Sequence, residues 1–377
     1  MTRAAALFVA ATFAWSGPAA AQVTAEPLQE MQDKADVTRG DSKPADGTDL
    51  LIVPIPQSSP TLGTGLTLVG ALFSNPVGEP SPWVTGIGIM RTSNGSKAAA
   101  GLHRMSLGDD KFRLVLFGGY AQINVNFYGI GPSAGERDVA IELEEKGYLA
   151  IAQGQYRIAP HLYAGVRSVF LDLNTGIHNP EPRFPELELP TIEFQTRLVT
   201  LGPSFSWDRR DNLFTPRSGE LVTAAWMFSG PGLGSDFSYD KLTVAATLYR
   251  PLGDSGVIAA HASLCGVSKG GPFYDLCLYG AHGDLRGYET GRYRDRASWT
   301  AQAEYRRQLF GRFGVAAFAG IGGIAPELSA LGDTKFLPAA GIGLRYQPSK
   351  QTPINLRVDF AVGRHSRALY VSLGEAF

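Results

Sequence analysis

The sequence predicts an all-β chain that closes into a 16-stranded transmembrane antiparallel β-barrel. Apolar and polar residues alternate with period two from residue 49 to the end. Short connections alternate with long ones, and the first residues are typical of a signal peptide. The composition fits, because 45 Gly, 20 Phe, 14 Tyr and 5 Trp accompany only 18% charged residues, whereas soluble proteins average roughly 25%.

The charge balance argues against a nucleic-acid partner. The chain has 34 Lys+Arg and 35 Asp+Glu, a formal net charge of -1, whereas nucleic-acid binders usually show a basic excess or a basic stripe. The six histidines do not have the spacing of metal ligands. We therefore expect no metal and no cofactor.

The first residues predict export from the cytoplasm. A positively charged start, an apolar run over 4–15 and an A-x-A site at 19–21 are typical of a signal peptide, residues 1–21. Residues 22–48 are polar and short, so we expect a disordered periplasmic segment. No later run approaches the ~20 apolar residues that a spanning helix needs. The barrel is therefore expected over 49–377, in the bacterial outer membrane.

The alternation is clearest near the carboxyl end of the chain. Apolar residues occupy every second position from Ile354 to Val362, with Arg357 and Asp359 among the residues between them. Each strand therefore has one apolar face and one polar face. The same pattern predicts sixteen strands, at 50–56, 62–74, 82–92, 96–106, 111–128, 138–157, 161–176, 191–209, 218–229, 236–250, 255–266, 297–309, 313–324, 336–347, 353–363 and 366–377.

Connection lengths distinguish a membrane barrel from a soluble β-sandwich. Connections after even-numbered strands are mostly short, whereas 129–137, 177–190 and above all 267–296 are long. Short turns at one end, long loops at the other and an even strand number are typical of outer-membrane barrels. By the convention of such barrels, the termini lie in the periplasm and the long loops are extracellular.

The two cysteines flank the start of the longest loop. Cys265 and Cys277 lie twelve residues apart, and an exported chain folds in an oxidising compartment, which favours a disulfide. Such a bond would tether the loop at its base. The alternative is a pair of unbonded, buried cysteines at the barrel rim.

The longest loop also carries the sequence Leu285-Arg286-Gly287-Tyr288. It resembles the L/V-R-G-Y/F signature of the BamA/TamA superfamily of outer-membrane barrels, the bacterial surface antigen family. Further segments resemble other motifs of that family, in the family's order over residues 49–377: Phe127–Gly131, Trp207–Asn212 with Pro216 and Gly219, and Val371–Phe377.

The resemblance implies that Arg286 enters the barrel with its loop and pairs with groups that face the lumen. Independently, the alternation places Glu304 and Asp359 on the lumen side, as candidate carboxylate partners. The chain departs from the family at Gly320, where the F-x-D-x-G segment usually has an aspartate. It also departs in having only the 27 residues 22–48 between the signal peptide and the barrel, so we expect a member without POTRA domains.

The resemblance further implies that the barrel assists insertion or translocation of protein, or of lipid, through the seam between its first and last strands. Pro54 and Pro56 have no N–H to donate, Gly374 weakens the last strand, and Phe377 ends it. Each missing hydrogen bond lowers the cost of parting the strands by about 0.5 to 1.5 kcal/mol. The prolines can equally protect the strand edge before closure.

The partners expected for this function are outer-membrane lipid, unfolded outer-membrane or secreted client proteins, and a periplasmic partner that replaces the POTRA domains. An alternative is a passive or plugged diffusion pore, whose selectivity would depend on the polar lumen residues Arg113, Arg306, Arg345, Arg357 and Asp359. A remote alternative is an outer-membrane hydrolase using Ser268 and His282, for which no third partner is evident. We expect no catalytic residues and no enzyme activity.

Overall fold

The structure is a computed structural model that describes residues 49–75, 77, 79, 83–177, 193–212, 215–280, 284–347 and 355–377. The expected signal peptide, the segment 22–48 and His282 lie outside the described residues. Within the described ranges, no helix is both long and apolar enough to span a membrane.

Sixteen antiparallel strands close into one barrel in the described part of the chain, which confirms the predicted fold class. Each predicted strand has an observed counterpart. Two further strands, β12 and β13, pair only with each other, within the longest loop. In chain order the strands are β1 (Asp49–Ser59), β2 (Gly63–Ser74), β3 (Trp83–Thr92), β4 (Lys97–Leu107), β5 (Phe112–Phe127), β6 (Ile141–Ala159), β7 (Leu162–Ile177), β8 (Glu193–Asp208), β9 (Gly219–Ser229), β10 (Tyr239–Leu252), β11 (Gly256–Val267), β12 (Cys277–Leu278), β13 (Arg294–Asp295), β14 (Ala297–Phe310), β15 (Phe313–Ala325), β16 (Ala339–Tyr346), β17 (Leu356–Gly363) and β18 (Ser366–Leu373).

Short 3-10 helices lie in three of the connections, at Pro231–Leu233, Phe273–Asp275 and Leu328–Asp333. The largest difference from the predicted strands is at the carboxyl end. The strand predicted over 366–377 ends at Leu373, because Gly374 adopts φ = 83°, a left-handed conformation that turns the chain out of the strand.

The two faces of the wall have opposite chemistry. Outward side chains are apolar and exposed, as in β3, where Ile87 is 70% and Ile89 is 58% exposed. Inward side chains include buried charged and amide groups such as Arg113, Lys241 and Asp359. Apolar side chains outside and polar side chains inside are the arrangement that a barrel needs in a lipid bilayer.

The height of the wall differs around the barrel. Strands β5 to β8 have 16, 19, 16 and 16 residues, whereas β16, β17 and β18 have 8 residues each. A tilted strand needs about 9 to 11 residues to cross the hydrocarbon core. The wall is therefore short where the chain ends and meets β1.

The seam, the boundary between β1 and β18, has little backbone pairing. All eleven residues of β1 pair with β2, whereas Ser58 with Val371 is the one register pair between β1 and β18 in the described strands. The Ser58 hydroxyl adds a bond to the Leu369 carbonyl oxygen at 3.2 Å. Pro54 and Pro56 lie within β1 on its outward face. Little main-chain hydrogen bonding therefore holds these two strands together.

The membrane placement predicts a depth-dependent cost for a charge on the outer face. Ile87→Arg, in the middle of β3, should destabilise the barrel by about 2 to 4 kcal/mol, because the guanidinium would lie near the bilayer centre. Leu309→Arg is the control, because Leu309 is 51% exposed but lies at the end of β14, where the expected cost is about 0 to 1 kcal/mol. Urea unfolding in lipid vesicles measures both, and equal costs would contradict this placement.

Candidate functional site

The loop between β11 and β14, residues 268–296, has an aromatic core of its own. Tyr279, Tyr288 and Tyr293 are buried, and their rings meet edge to face with centroids 5.1 to 6.3 Å apart. The Tyr279 hydroxyl donates to the Leu337 carbonyl oxygen and the Tyr288 hydroxyl to that of Pro338, both at 2.6 Å. Edge-to-face packing and these two hydrogen bonds give this loop a defined shape.

The base of the loop is attached to the wall by three kinds of contact. Cys265 in β11 and Cys277 in β12 are joined by a disulfide. Lys241 in β10 donates to Asp275 at 2.5 Å, and the Tyr239 hydroxyl donates to the same carboxylate. Burial raises the pKa of the Asp275 carboxyl, and the Lys241 ammonium opposes that rise. A buried ion pair with a further hydrogen bond therefore supports the disulfide.

The tip of the loop carries Arg286, which is only 2% exposed. Its Nη2 bonds Glu304 in β14 and its Nη1 bonds Asp359 in β17. Its Nε donates to the Gln302 side chain at 3.3 Å, and its guanidinium lies 3.5 Å from the centroid of the Phe318 ring. Because these partners point to the inside of the barrel, the loop tip that contacts them lies inside as well.

A wider group of charges surrounds this contact, and we name it the arginine cluster. Arg306 donates to Glu304 at 2.5 Å, and Arg345 donates to Asp359 at 2.5 Å and lies 3.3 Å from Glu304. Arg357 lies 3.7 Å from Asp359. Charged groups that are buried inside the barrel are stable only when they are paired. The arginine cluster comprises Arg286, Arg306, Arg345, Arg357, Glu304, Asp359 and Glu375.

The packing around Gly320 leaves no space for an aspartate side chain at this position. The Leu285 side chain fills the space beside Gly320, where a Cβ would clash with it and lie 2.7 Å from the Ala301 carbonyl oxygen. On the neighbouring strand, Gly343 leaves room for the carboxylate of Asp359. In this chain the acids that contact the arginine therefore come from β14 and β17, on the two sides of β15 and β16.

The next two motif residues contact the last strands. Gly287 has φ = 118°, and a Cβ there would lie 3.2 Å from the Gly363 nitrogen. Its N–H donates to the Tyr370 hydroxyl at 3.0 Å, and that hydroxyl donates to the Tyr288 carbonyl oxygen at 3.3 Å. Tyr370 lies in β18, so the loop touches the strand that borders the seam. Sequence reasoning missed Tyr370, although its position on the inward face of β18 was a signal.

A histidine contacts the loop just before the motif. His261 Nδ1 lies 2.9 Å from the Thr247 hydroxyl, and its Nε2 lies 3.0 Å from Asp284. Phe377 stacks on its ring with centroids 5.2 Å apart.

In the remote hydrolase alternative, Ser268 accepts a hydrogen bond from the Asp240 backbone N–H at 2.8 Å, while its suggested partner His282 is outside the described residues.

The far side of the loop is anchored on β5 and the connection that follows it. Glu289 accepts hydrogen bonds from Asn126 at 2.9 Å and from the Tyr128 hydroxyl at 2.7 Å. The N–H of Gly131, in the aromatic-G-I-G segment, donates to the Arg294 carbonyl oxygen at 2.9 Å. Two segments that carry family motifs thus meet inside the barrel. Burial raises the pKa of the Glu289 carboxyl, although both hydrogen bonds oppose the rise.

The remaining motif and seam residues lie elsewhere. Asp208, the last residue of β8, accepts two hydrogen bonds of 2.9 and 2.8 Å from the guanidinium of Arg210 in the turn that follows. Pro54 and Pro56 face outward in β1. Phe377, expected at the end of the last strand, instead turns inward toward His261. The structure therefore brings the loop motif together with Glu304, Asp359 and Phe377, and leaves the prolines apart.

The packing at Gly320 predicts that the usual family residue would not be tolerated by itself. Gly320→Asp should displace Leu285 and speed hydrogen exchange of the loop amides, because overpacking costs about 1 to 3 kcal/mol. Gly320→Asp with Leu285→Ala should recover slow exchange in part, since it removes the clash with Leu285 while the Cβ still lies 2.7 Å from the Ala301 carbonyl oxygen. Gly332→Asp is the control, because a Cβ there meets nothing within 4 Å. Unchanged exchange in Gly320→Asp would sink this explanation.

The raised pKa of Glu289 predicts a pH dependence of loop docking. Because the docked loop favours the protonated carboxyl, its stabilisation is complete below the ordinary carboxyl pKa and falls as the pH rises toward the raised value. Loop amide exchange, corrected for its intrinsic pH dependence, should therefore accelerate over that range. Glu289→Gln should make this dependence weaker, and an equally steep dependence in the variant would count against the assignment.

Comparison with known proteins shows the family. Residues 151–377 match the family model of the Omp85 superfamily domain. BamA from Haemophilus ducreyi lacking POTRA domains 1-3 matches with a TM-score of 0.59 and 14% identity, over 93% of this chain and 78% of that chain. CdiB from Escherichia coli matches with a TM-score of 0.57 and 11% identity, over 93% and 70%. CdiB from Acinetobacter baumannii gives 0.55 and 11%, over 92% and 66%.

Likeness at these identities shows the fold alone, and no curated protein sequence matches the chain. The family model rests on sequence and covers more than half of the residues. It therefore confirms the resemblance read from the loop motif and the barrel pattern. This chain belongs to the Omp85 superfamily and forms a β-barrel of the bacterial outer membrane.

Proposed function

We propose that this barrel assists the insertion or translocation of protein, or of lipid, at the outer membrane by opening its seam. The observation that carries the proposal is that β1 and β18 share one register pair among the residues that the structure describes. By contrast, every residue of β17 from Leu356 to Gly363 pairs with β18. The seam is therefore the boundary of the barrel that costs least to open.

The energies favour opening at this boundary. Each backbone hydrogen bond contributes about 0.5 to 1.5 kcal/mol, so parting a single register pair costs little beside parting a full ladder. Pro54 and Pro56 have no N–H to donate, which limits the number of backbone hydrogen bonds that β1 could form with β18. Reclosure by extended pairing is thus opposed by the sequence of β1 itself.

The short wall beside the seam supports the same function. Strands of 8 residues fall short of the about 9 to 11 that match the hydrocarbon core. A bilayer adapts to such a mismatch by thinning locally. A thinner bilayer next to a boundary that opens would lower the barrier for a strand or a lipid headgroup that enters from the side.

The client chemistry follows from what an open seam exposes. A parted β18, whose residues Ser366–Leu373 include no proline, presents unpaired backbone groups, and an extended strand of a client can pair with them. Unfolded outer-membrane or secreted proteins supply such strands, and outer-membrane lipid surrounds the site. A periplasmic partner that delivers clients completes the set of partners that we propose.

In this proposal Arg286 keeps the loop inside the barrel. The burial of the loop core and the two ion pairs of Arg286 support a lumen that the loop fills. Such a barrel would stay closed to free diffusion while its wall parts. The same occupied lumen argues against a wide passive pore. A plugged pore stays the second candidate, with the displaced loop as its open state.

Timed folding of a denatured client barrel in lipid vesicles tests the function. The parent protein should accelerate folding over an inert barrel of similar size, and Arg286→Ala should lose most of that acceleration, because the loop is no longer held. No acceleration over the inert barrel would remove autonomous insertion, and a partner-dependent machine or a plugged pore would then lead.

A tether across the seam makes the test specific. Ser58→Cys with Val371→Cys joins the one register pair, and its oxidised form should not accelerate client folding. Leu68→Cys with Ile89→Cys is the matched control, because these residues are a register pair between β2 and β3. Equal activity of the two oxidised proteins would contradict opening at the seam. Reductant added to the parent controls for loss of the native disulfide.

A further inference from the structure

We propose that residues 374–377, which we name the tail, are a second lock that positions the arginine cluster and couples β18 to the loop. The tail leaves β18 at Gly374, whose N–H donates to the Asn355 carbonyl oxygen at 2.8 Å. The positive φ at Gly374 directs the chain away from the strand. The tail therefore lies against inward-facing side chains and does not continue the wall.

Glu375 is held by more than one partner. Its side chain is only 4% exposed, and it accepts hydrogen bonds from Arg345 Nε and Asn355 Nδ2, both at 2.7 Å. Arg306 Nε lies 3.5 Å away. Hydrogen bonds between ionised groups are about twice as strong as neutral ones, so this carboxylate binds the tail firmly.

Phe377 adds contacts to the same region. Its main-chain oxygen accepts a hydrogen bond from Arg306 Nη2 at 2.9 Å. Its ring stacks on His261, and the Arg306 and Arg286 guanidinium carbons lie 5.4 and 5.8 Å from its centroid. A guanidinium cation near an aromatic ring is attracted to the face of that ring. The tail thus touches Arg286 and also the histidine that bonds Asp284, two residues before Arg286.

Charge explains why the arginine cluster needs the tail. The cluster has four guanidinium groups, and its carboxylates are Glu304, Asp359 and Glu375. Without Glu375, the four guanidinium groups, of which those of Arg286, Arg306 and Arg345 are buried, would share the two carboxylates of Glu304 and Asp359. An uncompensated buried charge is strongly destabilising, so the remaining acids would be drawn toward Arg306 and Arg345. Arg286 would then be held less firmly.

The tail also continues directly from the strand that borders the seam. Because β1 holds β18 at one register pair, much of what keeps β18 in place comes from β17, from Tyr370 and from the tail. Parting β18 from β1 moves the tail, and moving the tail disturbs the partners of Arg286. Seam opening and loop release are therefore coupled, and by linkage the coupling works in both directions. Its use in client insertion rests on the proposed function.

The test measures the seam without any client. Spin labels at Leu66→Cys in β2 and Leu369→Cys in β18 report the seam width from outward positions, since both leucines are exposed. Both native cysteines are disulfide-bonded and do not take label. Glu375→Gln and Phe377→Ala are compared with the parent. Glu375→Asp keeps the charge, and Glu327→Gln makes the same change at an exposed acid in the connection after β15.

Glu375→Gln should raise the wide-seam population roughly tenfold, the effect of losing one hydrogen bond between charged groups. Phe377→Ala should act in the same direction, while Glu375→Asp and Glu327→Gln should resemble the parent. A label at Ala376→Cys should become more mobile in Arg286→Ala, which tests the coupling from the loop side and does not require Glu375→Gln to fold. An unchanged seam in Glu375→Gln, or an unchanged label in Arg286→Ala, would overturn the proposal.

These readouts separate the two proposals. If Glu375→Gln widens the seam but the parent does not accelerate client folding, the tail lock stands and the proposed function fails. If the parent accelerates folding and Glu375→Gln leaves both the seam and the Ala376 label unchanged, the function stands and the tail lock fails.

Discussion

The pairing of the Arg286 guanidinium with Glu304 and Asp359 is the interaction on which the interior of this barrel depends. A buried arginine is destabilising unless several acceptors surround it, and its planar fork donates to them only in defined directions. Two strands must therefore present their carboxylates at matching heights, and the loop must reach far enough to meet them. The aromatic core, the disulfide at the loop base and the Lys241–Asp275 pair make that reach possible.

The interior of the barrel and the seam in its wall differ in how strongly they are held together. Inside, charges far apart in the chain are linked by short, directional bonds. At the seam, one register pair joins two strands. In the proposed function, this structure, firmly held within and weakly closed at one boundary, parts its wall while its lumen stays filled. Since β18 belongs to both regions, through Tyr370 inside and Val371 at the seam, it is the element in which the two meet.

The sequence by itself determined the barrel and the faces of its strands. Period-two alternation is a local property, because neighbouring side chains in a strand always point to opposite faces. For that reason the sixteen strands and the inward direction of Glu304 and Asp359 could be predicted without any knowledge of neighbours. The loop motif likewise identified Arg286, since its residues are contiguous. Strand ends were less predictable, as the turn at Gly374 depends on contacts that follow it.

Only the tertiary structure decided which distant residues meet. Leu285 fills the space beside Gly320, Tyr370 bonds the loop, and Glu375 and Phe377 turn inward to the arginine cluster. Each depends on the register and closure of strands that lie far apart in sequence, and no local pattern encodes them. The pairing across the seam is of the same kind, because closing a barrel is decided by the sum of all its strand registers.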